Sequence, residues 1–185
     1  MSTDGYWDDP EAHSEAKIAI VNKFFAAWAA IICGAMSQGY AVYLDLYAGK
    51  GTYNDGTPST PMRVIQHVIG NPTLAKKMRL VFNEADSDSV KALREAVAGI
   101  NGIESLVYSP EIYDYDVAED GLELVHMYRN IPKMAFVDPW GYRGITRELL
   151  RALIVDWGSD CILFFNYRRV RAAIENPKVE EHMLA

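Results

Sequence analysis

Cysteine is scarce in this chain: 185 residues hold only Cys33 and Cys161, far apart and each inside an apolar run. A disulfide framework, a cysteine zinc site or a redox pair needs neighbours that these two lack. The four histidines, His13, His67, His126 and His182, share no metal-like spacing, so no metal site is expected. Long hydrophobic runs are missing too. The most apolar stretch, residues 24–36, follows Asn22 and Lys23 and falls short of the roughly 20 residues a bilayer demands. No basic-then-apolar leader with a small-residue cleavage site is visible. A cytoplasmic protein without membrane contact is the expectation. Internal repeats and low-complexity tracts are absent from the sequence as well.

Positive charge is missing from one place in particular. Residues 1–15 carry Asp4, Asp8, Asp9, Glu11 and Glu15 with no lysine or arginine. This leader accounts for most of the formal charge of −7, and the remainder is nearly balanced, 18 basic against 20 acidic residues. An acidic leader argues against tight, unassisted nucleic-acid binding, which depends on neutralising phosphates. A local patch could still serve a nucleic-acid substrate. Arg143, Arg147, Arg151, Arg168, Arg169 and Arg171 cluster in the second half, where solvated helix faces explain them as well as a binding surface does.

What is present is a chain of globular composition, half apolar, with length for one domain and a real core. The organisation expected is an acidic leader over residues 1–16 and a single domain over residues 17–185. Ile18, Val21, Phe25, Trp28, Ile32 and Ala35 recur at spacings of three and four, the mark of one helix face, with Gly34 and Gly39 near its end. A strand follows at residues 41–45. Loop chemistry fills 48–61, and Thr60 as cap with Pro61 behind it opens a short helix to residue 69. Further strands are expected at 80–82, 106–108, 134–137 and 161–165. Helices are expected at 87–98, 117–128 and from the Thr146 cap to 155. Apolar strands alternating with helices predict an α/β, Rossmann-like fold: a mostly parallel sheet with helices on both faces.

Ligands of open α/β sheets bind outside the carboxyl ends of the strands. At those ends stand Asp45 with Gly49 and Gly51, then Glu84 and Asp86, then Asp114 and Asp116, then Asp138-Pro139-Trp140-Gly141, then Asn166. Carboxylates gathered in one crevice repel one another, so a purely structural role explains the row poorly. A cationic, nucleoside-bearing cofactor explains it better. Tyr47, Ala48, Gly49 and Gly51 let the backbone approach such a ligand. Glu84 can accept hydrogen bonds from ribose hydroxyls, Asp114 or Asp116 can hold an adenine amino group, and Asp45 suits a sulfonium or an ammonium. The NAD fingerprint G-x-G-x-x-G is incomplete, and a P-loop is excluded because no G-x-x-x-x-G-K-[ST] occurs. Asp138, Pro139 and Trp140 form the candidate catalytic loop: Asp138 accepts a proton or orients an amine, Pro139 fixes the turn, and Trp140 stacks on a flat group or covers the sheet edge.

Several blocks together resemble a known family. Residues 17–28 (K-I-A-I-V-N-K-F-F-A-A-W), 43–51 (Y-L-D-L-Y-A-G-K-G), Tyr53-Asn54-Asp55-Gly56, Thr60-Pro61-Met62, Phe82-Asn83-Glu84-Ala85-Asp86, 136–141 and Leu163-Phe164-Phe165-Asn166 occur in the same order in the three-Cys-motif partner proteins (TcmP). The resemblance implies a Rossmann-type methyltransferase fold that binds S-adenosylmethionine, and a separate protein partner bearing a three-cysteine motif. It implies that Asp45, Gly49 and Gly51 line the methionine end of the cofactor, that Glu84 takes the ribose, and that residues 138–141 face the acceptor. Family members usually have glycine at the position of Ser59 and phenylalanine at that of Trp140. They also run longer, and nothing after Asn166 reads as the usual closing strands, so these C-terminal strands are expected to be missing. The expected activity is methyl transfer to a macromolecular or partner-bound substrate. The alternative is a non-catalytic module that binds the same cofactor.

Overall fold

The computed structural model describes residues 12–53, 56–139 and 143–165. Helix α1, Ala12–Ala35, opens the chain and is followed by strand β1, Ala41–Asp45. Helices α2, Thr60–Ile69, and α3, Pro72–Lys77, lead to β2, Met78–Asn83. Helix α4, Ser87–Ala98, and a 3-10 turn, Ile103–Ser105, precede β3, Glu111–Tyr113. Helix α5, Val117–His126, leads to β4, Lys133–Val137, and α6, Arg147–Ile154, to β5, Asp160–Leu163. The five strands form one parallel sheet in the order β3-β2-β1-β4-β5. The architecture is that of an α/β domain of Rossmann-like type. The expectation about closing strands falls on residues 166–185, outside the described residues.

Strand alternation sends successive side chains to opposite faces, and the two faces are covered by different helices. Tyr43, Leu80, Phe82, Met134 and Phe136 pack with α1, α2, α3 and α4. Val42, Leu44, Val81, Ala135 and Val137 pack with α5 and α6. From β1 the chain winds outward through β2 and β3 along the first face. It then returns across the other face to β4 on the opposite side of β1. The reversal leaves a crevice between the carboxyl ends of β1 and β4, the place where open α/β sheets bind ligands.

Helix α1 buries Ile18, Val21, Phe25, Trp28, Ala29, Ile32 and Cys33 against the sheet, as its three-and-four spacing requires. The stretch Ala16–Ala35 extends beyond the 24–36 run and takes in Lys17, Asn22 and Lys23, yet by length and composition it could cross a membrane. Here Trp28 donates its indole N–H to the Gly158 carbonyl at 2.8 Å, tying the helix to the loop before β5. Both cysteines are free, Cys33 buried and Cys161 half-buried.

Several element ends differ from the sequence expectation by one or two residues, and three differences go further. Helix α2 begins at Thr60, so Ser59 rather than Thr60 takes the cap position, and it makes no capping hydrogen bond. Helix α3 had no helical periodicity to reveal it at six residues. It is set by the cap of Asn71, whose side chain accepts from the Thr73 and Leu74 amides, and by Pro72. The third strand lies at 111–113, not 106–108. Leu106 closes the 3-10 turn, Val107 points outward and donates its amide to the Ala75 carbonyl. A three-residue edge strand with half-buried side chains has no face deep enough to print an apolar pattern.

Candidate functional site

Asp45 ends β1, the middle strand, with Phe82 of β2 and Phe136 of β4 as its register partners on either side. Its side chain is fully buried. One oxygen, Oδ1, accepts the Tyr47 amide at 3.1 Å. The other, Oδ2, is buried without a hydrogen-bond partner. Burial pushes the carboxyl from its ordinary 3.8 up to about 8; the Tyr47 amide opposes that, and the charges of Asp138 and Glu84 add to it. Two residues back on the same face, the buried Tyr43 hydroxyl has no partner in hydrogen-bond geometry either, but it stands near enough to Asp45 that burial and this carboxyl hold it well above its usual value. At neutral pH, then, Asp45 stands as an acid with its proton on.

Glu84 follows β2 and organises the loop after β1. Its Oε2 accepts the Gly49 amide at 2.9 Å and its Oε1 the Asp86 amide at 3.0 Å. Each carboxylate oxygen has a second lone-pair direction, so both remain able to accept from a ligand. Gly49 and Gly51 carry φ of 66° and 86°, the left-handed region in which a side chain is strained. At Gly51 an added Cβ would lie 3.1 Å from Leu93 and 3.3 Å from Ala96 of α4, so that glycine lets the loop press onto the helix. The loops are locked together by Asn83, fully buried at the end of β2. Its Nδ2 donates to the Leu46 and Tyr115 carbonyls and its Oδ1 accepts the Tyr115 amide. One amide side chain thus fixes the exits of three strands.

The third carboxylate is Asp138, directly after β4, ion-paired with Lys17 from the second turn of α1. The Lys17 ammonium also lies 5.5 Å from the centre of the Phe164 ring. Lys17, Asp45, Tyr47, Ala48, Tyr53, Ser59, Thr60, Pro61, Glu84, Phe136 and Asp138 enclose a pocket of about 70 Å³ at the β1/β4 crevice. The Ser59 hydroxyl, buried among them, likewise has no hydrogen-bond partner. No protein-family model matches this chain. No curated protein matches it either.

The acidic row thus divides. Asp45, Glu84 and Asp138 share the pocket with Tyr47 and Ala48. Asp86 caps α4 by accepting the Ser89 amide, and Asp116 caps α5 by accepting the Ala118 amide. Arg143 stands 3.8 Å from Asp116. Asp114 is exposed on the loop between β3 and α5. Pro139 is buried behind Asp138; Trp140, Gly141 and Asn166 lie outside the described residues. Lys17, Tyr53, Ser59, Thr60, Pro61 and Phe136 complete the site without having been named as site residues from the sequence. Lys17 is just over 30 residues upstream of Gly49, and only packing of α1 across the sheet brings it to Asp138. Among the described residues no group of histidine, cysteine and carboxylate side chains is placed to hold a metal ion.

Proposed function

We propose that the chain is an S-adenosylmethionine-dependent methyltransferase of the three-Cys-motif partner type, acting on a macromolecular or partner-bound substrate. The observation that carries this reading is the pair of unpartnered polar atoms, Asp45 Oδ2 and Ser59 Oγ, buried in one pocket at the switch point of the sheet. An unsatisfied buried polar group costs about 1–3 kcal/mol, and a ligand that bonds to both recovers it. The chemistry of the donor set fits a cofactor that is cationic at one end and bears a ribose at the other. Asp45 would pair with the ammonium of its amino-acid end, and Ser59 would bond to the same end. Glu84, its oxygens already oriented by two amides, would take the ribose hydroxyls. The enclosed volume of about 70 Å³ suits the amino-acid end. The nucleoside needs more room, since whole-ligand pockets run from about 300 Å³ upward, and it would lie along Glu84 towards Tyr47 and Asp114.

The cofactor would supply an activated methyl group; the chain supplies orientation and a proton acceptor. Transfer of this kind is accelerated mainly by holding the reacting atoms in line, and Asp138 at the pocket wall would orient the acceptor and take its proton. Calorimetry with S-adenosylhomocysteine tests the site, with NAD as control. Binding that Asp45→Ala and Glu84→Ala each weaken at least tenfold supports it. Binding untouched by both, or preference for NAD, overturns it. Labelled-methyl transfer to RNA, DNA and protein fractions then tests catalysis. Cofactor binding with no label in any fraction identifies a binding module instead.

A further inference from the structure

Where Asp138 lines the pocket, and Phe164 packs edge-on against Phe136 beside it, a cation is already held, and that cation belongs to the chain. Lys17 reaches it with an ammonium on a four-carbon stem, pairs with the carboxylate and lies near the aromatic face. Carboxylate plus ring is a recognition set for ammonium groups. The Lys17 side chain is only 13% exposed and that of Asp138 25%, so the pair is partly removed from water, where an ion pair has to offset its own desolvation. A tie meant only to hold α1 on the sheet has no need to end in the same pocket as the unpartnered Asp45 Oδ2 and Ser59 Oγ. Of the eleven described residues lining that pocket, Lys17 is the one with a cationic side chain.

We propose that Asp138 and Phe164 form a binding subsite for an alkylammonium group, that Lys17 is its resident occupant, and that an amine-bearing ligand enters by displacing Lys17. The inference rests on the methyltransferase reading and deepens it, because it names the acceptor class as an alkyl amine: the bound ammonium gives one proton to Asp138, and the freed nitrogen lone pair takes the methyl group as its bond to the cofactor sulfur breaks. The subsite itself is defined without the cofactor. Lys17 then acts as a tethered competitor, closing the acceptor side until a better-placed amine arrives.

The test uses n-butylammonium as probe and n-butanol as its neutral counterpart, both without cofactor, so that failure of cofactor binding and failure of this proposal remain separate outcomes. In Lys17→Ala, n-butylammonium is expected to bind at least tenfold more tightly than to the unaltered protein, and Asp138→Asn in that background is expected to remove the gain. In the unaltered protein the NMR signal of the Lys17 Cε methylene, assigned with Lys17→Arg, should move to the position of a solvated lysine as n-butylammonium is added, and stay in place with n-butanol. Equal binding of amine and alcohol by Lys17→Ala overturns the proposal. So does a Lys17 signal unmoved at saturating amine, which decides the matter even if Lys17→Ala does not fold.

Discussion

At Asp45 the chain places a carboxyl between two phenylalanines at the end of its central strand and gives it one amide as partner. The sign of the consequence follows from the direction of its shift. Its folded value, about 8, lies above the ordinary 3.8, so the folded protein keeps a proton that the unfolded chain has lost between those limits. Stability is therefore undiminished below about pH 4 and falls as pH rises towards 8, by at most about 1.4 kcal/mol per pH unit. Asp45→Asn, which cannot ionise, is expected to flatten that slope and to be the more stable protein at pH 8, measured by urea unfolding from pH 5 to 8.5. The same substitution is expected to weaken S-adenosylhomocysteine binding at least tenfold, since an amide can accept a hydrogen bond from an ammonium but cannot form an ion pair with it. In the unaltered protein, affinity should rise about tenfold per pH unit from 6 to 8 and level off above, because binding an ammonium there expels the Asp45 proton. Affinity flat across that range would contradict pairing with Asp45.

At the scale of elements, the same residue type serves two purposes. Asp86 and Asp116 stand near strand ends, as Asp45 and Asp138 do, yet each turns its carboxylate onto the first turn of the next helix. The Ser89 amide and then the Ser89 hydroxyl hold Asp86 below its ordinary value. A depressed carboxylate contributes above its unfolded value, so this cap is present at neutral pH and is lost as pH falls below about 4. Asp86→Ala and Asp116→Ala are each expected to cost about 0.5–2 kcal/mol in urea unfolding at pH 7. Losses within 0.2 kcal/mol of zero would show that the caps are idle. Which carboxylates form a site and which cap a helix was not separated by composition, since all of them stand at a strand's last residue or within three residues of it. The helix starts themselves were legible: Asp116 before Val117, Thr146 before Arg147. Short edge elements were not, because β3 and α3 are too brief to carry a period.

Across the whole molecule the two ends of the sheet have separate tasks. Lys133, fully buried at the amino end of β4, is ion-paired with Asp156 in the turn after α6, while its amide donates to the Ser159 hydroxyl. Removing one partner of a buried pair leaves a charge without compensation and costs about 3–5 kcal/mol. Asp156→Ala should therefore lower global stability by roughly that amount. Lys133→Met combined with Asp156→Leu should recover most of it. Lys133 pairs in register beside Val42 and Asp45 beside Phe136, which puts the ion pair roughly 10 Å along the strands from the pocket. Effects of Asp156→Ala and Asp45→Asn on unfolding should then add to within about 0.5 kcal/mol; a larger discrepancy would mean that the ends are coupled.

Apolar runs, cap residues and helical spacing in the sequence determined most of the alternation of helix and strand, the fully buried β1 and β4, and the face of α1, because burial imposes a pattern that survives without neighbours. They also determined which residues stand at the strand ends. Only the tertiary structure decided the strand order, with its crevice between β1 and β4, and the division of the acidic row into Asp45, Glu84 and Asp138 in the pocket and Asp86 and Asp116 on helices. It alone brought Lys17 to Asp138. Those outcomes depend on contacts between residues dozens of positions apart, and on desolvation, which a side chain acquires from what packs around it and not from its place in the chain.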